Sequence, residues 1–192
     1  LDTRTGREVW RREVPAGVIE KTTSINSPAT PTPATDGERV YSYFGSFGLV
    51  ALTVAGKDAW THPIGPHPHH MGAGSSPVLA GGVLYLNAET DGPSSLLALD
   101  AHTGKVRWQT PRRTRQAGYA SAAVWGELVV VAGHERVTAY GRQDGRERWS
   151  VAGLSQYVVP TAVAAGDLAF ATSSGPGGNA LLALRRDGRS EE

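Results

Sequence analysis

Apolar residues in this 192-residue chain come in short runs bounded by turn residues, not at helical spacing. "VLYL" at 83–86 and "LVVVA" at 128–132 are each flanked by Gly, Asn, Asp or Ser, the punctuation that separates strands. The pattern predicts an all-β protein. Its clearest stretch predicts strands over 121–125, 127–132, 136–140 and 146–151, with Gly133 and Gly145 in the tight turns. The connections "NAETDGPSS" and "TSSGPGG" read as polar surface insertions between second and third strands. "YFGSFG" places Phe44 and Phe47 near a hairpin tip, either as a contact patch or with one of them in the core.

Two phrases recur in step. A Gly followed four residues later by Trp occurs at Gly6 and Trp10, Gly56 and Trp60, Gly104 and Trp108, and Gly145 and Trp149. A fifth copy keeps Gly188 but has Glu192 where Trp is due. Upstream of the last four copies lies a Ser or Thr, then Pro or Ala, then Gly: "TPATDG", "SPVLAG", "SAAVWG" and "TAVAAG". The resulting period of 40 to 50 residues is that of radially or linearly stacked β units. Each repeat predicts a four-stranded antiparallel sheet, with blades at 32–62, 76–110, 121–151 and 161–192 and the tail of another at 1–12. A lone sheet of this kind leaves two faces bare, so stacking of the sheets as a β-propeller is favoured over separate domains. Because the chain opens inside one repeat and closes on a copy without Trp, about four blades and a stub are expected to form an open arc of a seven- or eight-bladed ring.

Composition narrows the function classes. A net charge of +1 offers no broad field for nucleic acid or an anionic membrane, and the arginines at 11–12, 112–115 and 185–186 read as solvated turn residues. With no cysteine, neither disulfides nor thiol chemistry is available within this stretch. No apolar run approaches a membrane span, and no leader is visible from Leu1 onward.

The phrase "ALDAHTGKVRW", with Ala98, Asp100, Thr103, Gly104 and Trp108 in fixed order, closely resembles the tryptophan-docking motif of the pyrroloquinoline quinone (PQQ) type β-propellers. That family holds quinoprotein alcohol dehydrogenases and also non-enzymatic proteins, among them the propeller lipoprotein of the outer-membrane β-barrel assembly machinery. The resemblance implies that Trp10, Trp60, Trp108 and Trp149 pack against neighbouring blades. Gly6, Gly56, Gly104 and Gly145 are the turn glycines of the same motif. A periplasmic, cell-envelope or extracellular location is likewise implied by resemblance alone.

A dehydrogenase of this family would hold the quinone and Ca²⁺ on carboxylate and amide oxygens, with a catalytic Asp and commonly a vicinal cysteine pair. That set cannot be assembled here: there is no cysteine, and Asp36, Asp58, Asp100, Asp144 and Asp167 sit in or beside turns. Neither PQQ nor Ca²⁺ is therefore expected. The reading is a non-enzymatic scaffold for protein partners or a small ligand, with a dehydrogenase fragment and the sensor domain of a membrane-bound kinase as alternatives. One stretch, "HPIGPHPHHMG", gathers His62, His67, His69, His70 and Met71. Its candidate metal ligands are His67, His69 and His70, although a His-rich surface loop accounts for the same residues and the spacing matches no closed zinc motif.

Overall fold

The computed structural model describes residues 1–14, 23, 30–65, 69, 71–114, 116–175 and 178–189. Its strands fall into four antiparallel sheets in chain order. The first contains β1 (Ala34–Thr35), β2 (Arg39–Tyr43), β3 (Leu49–Thr53) and β4 (Asp58–His62). The second contains β5 (Val78–Ala80), β6 (Val83–Ala88), β7 (Ser94–Asp100) and β8 (Val106–Arg112). The third contains β9 (Ala123–Trp125), β10 (Leu128–Gly133), β11 (Arg136–Gly141) and β12 (Glu147–Ala152). In the fourth, β13 (Val163–Ala165), β14 (Leu168–Gly175) and β15 (Gly178–Arg185) are described, and residues 190–192, where a fourth strand was expected, lie outside the described residues. The only helical element among the described residues is a 3-10 turn, Gly45–Phe47.

Why the strands read as unbroken apolar runs follows from the stacking. Side chains alternate between faces with period two, and the middle sheets are covered on both sides. Leu84, Leu86, Leu97 and Leu99 of the second sheet meet Tyr41, Tyr43 and Leu49 of the first. From its other face Val83, Tyr85, Leu96 and Ala98 meet Val129, Val131 and Tyr140 of the third. Val130, Ala132, Val137 and Ala139 then meet Ala169, Ala171 and Leu184 of the fourth. First strands of successive sheets also touch each other, β1 with β5, β5 with β9 and β9 with β13, which places them on the inner side of the arc. The chain is an all-β partial propeller.

Several local expectations need correction. Gly133 is not a turn residue: it is the last residue of β10 and pairs with Arg136, and Glu135 supplies the left-handed conformation of that turn at φ 61°. Glycine is needed at 133 for space, since a Cβ there would lie 2.5 Å from Arg112 Nη2 and 2.6 Å from Glu89 Oε1. "NAETDGPSS" is not a surface insertion either, because Asn87, Glu89, Thr90, Ser94 and Ser95 are all buried. Arg112 is buried as well, unlike the solvated turn arginine its sequence context suggests. In "TSSGPGG", β14 and β15 pair out to Gly175 and Gly178, so most of that connection is hairpin strand, with Ser173 buried. Phe44 and Phe47 are both half-buried around the 3-10 turn, so neither is a fully exposed contact residue.

Candidate functional site

The two recurrent phrases meet at the boundaries between sheets. Trp10 Nε1 donates to Val54 O at 2.9 Å, Trp60 Nε1 to Ala101 O at 2.9 Å, Trp108 Nε1 to Arg142 O at 3.0 Å and Trp149 Nε1 to Arg186 O at 2.7 Å. In every case the acceptor belongs to the third-to-fourth-strand turn of the next repeat. The ring also covers that turn's glycine: a Cβ on Gly104, which has φ +70°, would stand 2.6 Å from the Trp60 ring, and one on Gly145 would stand 2.5 Å from that of Trp108. Gly56 lies under Trp10 and Gly188 under Trp149 in the same way, whereas nothing lies within 4 Å of the Cβ direction at Gly6. Each Trp thus works with the glycine of the following repeat, not with its own. This is why the last copy, whose Gly188 receives Trp149, can complete that contact without a Trp of its own.

For three of the four rings the cross-strand partner is an alanine. Ala51 faces Trp60, Ala98 faces Trp108 and Ala139 faces Trp149, each beside a bulge in the pairing. A small residue there leaves room for the indole to lean toward the next sheet. Trp125, outside the recurrent phrase, makes a further link, donating to Gly166 O at 3.0 Å with the Arg186 guanidinium 5.4 Å from its ring centre.

The second phrase serves the inner side. Ser76 Oγ accepts from Thr32 N at 2.9 Å, Ser121 Oγ from Ser76 N at 2.8 Å, and Thr161 Oγ1 from Ser121 N at 3.1 Å. The leading Ser or Thr of each of the last three copies therefore bonds the equivalent amide of the sheet before it. These amides precede the inner strands and find no partner within their own sheet, so the hydroxyl satisfies a donor that would otherwise be left unpaired.

Acidic turn residues are held by the turns themselves. Asp100 is lowered to about 2, first by its bond from Arg107 and then by the Thr103 hydroxyl, and Asp36 is likewise lowered to about 2, chiefly by the Tyr41 hydroxyl. Both lie below the ordinary carboxylate value of 3.8, so the stability they lend is present above about pH 4 and is lost as pH falls through about 2. Urea melts at descending pH are expected to show a drop in that window that shrinks in Asp100→Asn. An unchanged pH profile in the variant would refute the assignment.

At the opposite ends of the sheets lies a buried charge cluster that the sequence did not reveal. Arg112 donates from Nε and Nη2 to Glu89 Oε1 at 2.9 and 2.7 Å and from Nη1 to the Tyr140 hydroxyl at 3.0 Å. Asn87 Nδ2 donates to Glu89 Oε2 at 3.2 Å and to Ala120 O at 3.0 Å. The two charged side chains are 4% and 0% exposed. Burial raises the Tyr140 hydroxyl, with the Arg112 charge opposing. A polar cavity of about 210 Å³ opens beside the pair, lined in part by Arg113, His134, Arg136, Thr138 and Ser150. The ion pair itself is satisfied, since both carboxylate oxygens of Glu89 and all three guanidinium nitrogens of Arg112 have partners, whereas the buried Asn87 Oδ1 beside it has none.

The histidine stretch is only partly placed. His67 and His70 lie outside the described residues, and His69 is buried at 7% exposure. His62 ends β4, half-buried, with its imidazole lowered by burial. Among the described residues no group of three or more His, Asp or Glu side chains could hold a metal ion, and no helix is long and apolar enough to cross a membrane.

Comparison with known proteins places this arrangement. The protein-family model described as "Outer membrane protein assembly factor BamB" matches residues 1–157. The chain superimposes on BamB from Moraxella catarrhalis with a TM-score of 0.63 at 14% identity, covering 82% of this chain and 49% of that one. It superimposes on quinohemoprotein alcohol dehydrogenase from Comamonas testosteroni with a TM-score of 0.65 at 17% identity, covering 85% and 34%. For a europium-containing methanol dehydrogenase the corresponding figures are 0.63, 18%, 82% and 40%. No curated protein matches the chain in sequence. The chain thus spans half or less of the length of these structures, and at such identities the likeness is one of fold.

Proposed function

The chain belongs to the PQQ-like propeller family whose model is described as outer membrane protein assembly factor BamB, and on that premise we propose that it is a non-enzymatic scaffold for protein partners in the cell envelope. One observation carries the reading. The residues that recur, Trp10, Trp60, Trp108 and Trp149 with Gly6, Gly56, Gly104 and Gly145, are those of turns and of contacts between sheets, and none is a convergent polar group of a cofactor site. We assign them an inter-blade docking role. Glu89, the fully buried acid among the loop ends, accepts from Arg112 and Asn87, and its single charge is already balanced by the buried guanidinium against it. Ca²⁺ requires several such oxygens, so this donor set does not fit it. The neighbours include dehydrogenases, and a quinone-binding fragment is the competing reading.

The two readings part on one experiment. The full-length parent protein is titrated with PQQ in the presence of Ca²⁺ and then assayed for dye reduction with simple alcohols. Neither stoichiometric binding nor alcohol-dependent reduction is expected, and finding both would establish the dehydrogenase reading instead.

A further inference from the structure

Directly after each of the five turn glycines stands a basic residue: Arg7, Lys57, Lys105, Arg146 and Arg189. Every one is exposed. Because each turn occupies the same place in its repeat, the five form an arc along one rim of the stacked sheets. Among the described residues Arg7, Lys57 and Lys105 pair with no carboxylate. The Arg146 guanidinium comes no nearer than 3.9 Å to the Asp144 carboxylate, and Arg189 is bonded to Asp187.

The acids of these turns are tied to the turns' own backbone amides. Asp2 Oδ1 accepts from Thr5 N at 2.8 Å, Asp100 Oδ1 from Thr103 N at 2.9 Å, Asp144 Oδ1 from Arg146 N at 3.1 Å and Asp187 Oδ1 from Arg189 N at 3.2 Å. Carboxylates tied to backbone amides and cations projecting outward make the rim electropositive, even though the chain as a whole carries only +1. The neighbouring acids Glu8 and Asp58 are each held by an arginine, Arg11 and Arg12, at 2.7 Å. Glu147, next to Arg146, lines the cavity beside Arg112.

We propose that this rim docks an extended acidic segment of a partner protein, a statement that rests on the scaffold reading and specifies its partner. The alternative of an anionic lipid surface is disfavoured by the charges just inside the rim. Glu38, Glu127 and Asp167 sit in the first-to-second-strand turns, on the inner side at the same end of the sheets; Glu38 and Asp167 lie 3.3 and 3.7 Å from Arg39 and Arg186 but keep side-chain exposures of 80% and 87%. A flat anionic sheet would meet these acids together with the cations, whereas a single chain can follow the line of turn cations, along which Asp58, Asp144 and Asp187 are each engaged by an arginine. Packed sheets stand about 10 Å apart and an extended chain rises about 3.3 Å per residue, so an acid at roughly every third position would reach successive turns.

The test uses a fluorescein-labelled peptide of roughly 18 residues repeating Glu-Gly-Ser, long enough at about 3.3 Å per residue to follow the arc, with a Gln-Gly-Ser peptide as control. Fluorescence anisotropy is read at low and at physiological salt. The acidic peptide is expected to bind more tightly than the control, to weaken with salt, and to lose about tenfold or more in affinity when Lys57, Lys105 and Arg146 are together changed to Glu. Arg113→Glu with Arg136→Glu, at the other ends of the sheets, is expected to leave binding unchanged, and the circular dichroism of each variant reports whether it folds. A triple change to Gln keeps the test valid should the Glu variant misfold. Equal binding of both peptides, equal loss in the two sets of variants, or tighter binding to phosphatidylglycerol vesicles than to the peptide would each overturn the proposal. None of these results bears on quinone binding, so the scaffold reading would stand or fall separately.

Discussion

Replacing Trp108 with alanine is expected to lower the stability of the fold by about 3 to 5 kcal/mol, the range for a large aromatic lost from a packed site. The side chain covers Gly145, donates from Nε1 to Arg142 O and lies with its ring centre 6.0 Å from that of Tyr85. Truncation removes the contact area of the indole and also leaves the Arg142 carbonyl without this donor. Both losses fall at the boundary between the second and third sheets, so the destabilisation is expected to loosen their packing and not only the fourth strand. Urea melts followed by tryptophan fluorescence and circular dichroism measure it, and a midpoint equal to the parent's would exclude a docking role.

Glu89→Ala should be comparably damaging, by about 3 to 5 kcal/mol, because it strands a buried cation. With the carboxylate gone, the Arg112 guanidinium would remain at 4% side-chain exposure facing only the Tyr140 hydroxyl. The double replacement Glu89→Leu with Arg112→Met removes both charges and is expected to recover most of the loss, since a buried ion pair gains little over well-packed apolar groups. Chemical melts of the two variants beside the parent decide the matter. A single variant as stable as the parent, or a double variant worse than the single, would show that the pair does not behave as a buried, mutually dependent unit.

How much of this could be read in the sequence differs between the two clusters. The tryptophan contacts were visible because they repeat: a spacing seen at Trp10, Trp60, Trp108 and Trp149 is a signal that a single residue cannot give. What the spacing could not convey was the direction of the contact, from the Trp of one repeat to the glycine of the next. Nor did it explain the alanines at 51, 98 and 139, whose smallness matters only once each is seen across from its indole. The leading Ser or Thr of the second phrase was legible as a pattern and silent as to purpose, because its partner is an amide in another repeat. Glu89 and Arg112 occur once each and lie 23 residues apart in segments whose composition is that of surface loops. Local polarity argued for exposure, and the tertiary pairing that makes burial tolerable has no local signature. Gly133 misled for the same reason, being small to admit those two side chains and not to turn the chain.

The central structural claim, that a Trp and the glycine of the following repeat act as one unit, is tested most directly by a double-mutant cycle on Trp60 and Gly104. In the parent, Gly104→Ala sets a Cβ 2.6 Å from the indole and strains a backbone at φ +70°. In a Trp60→Ala background the collision is gone, and only the backbone strain, about 1 to 2 kcal/mol for a left-handed residue, remains. The account predicts that Gly104→Ala costs clearly less in that background than in the parent when both are measured by urea melts. The same cost in both backgrounds would contradict it.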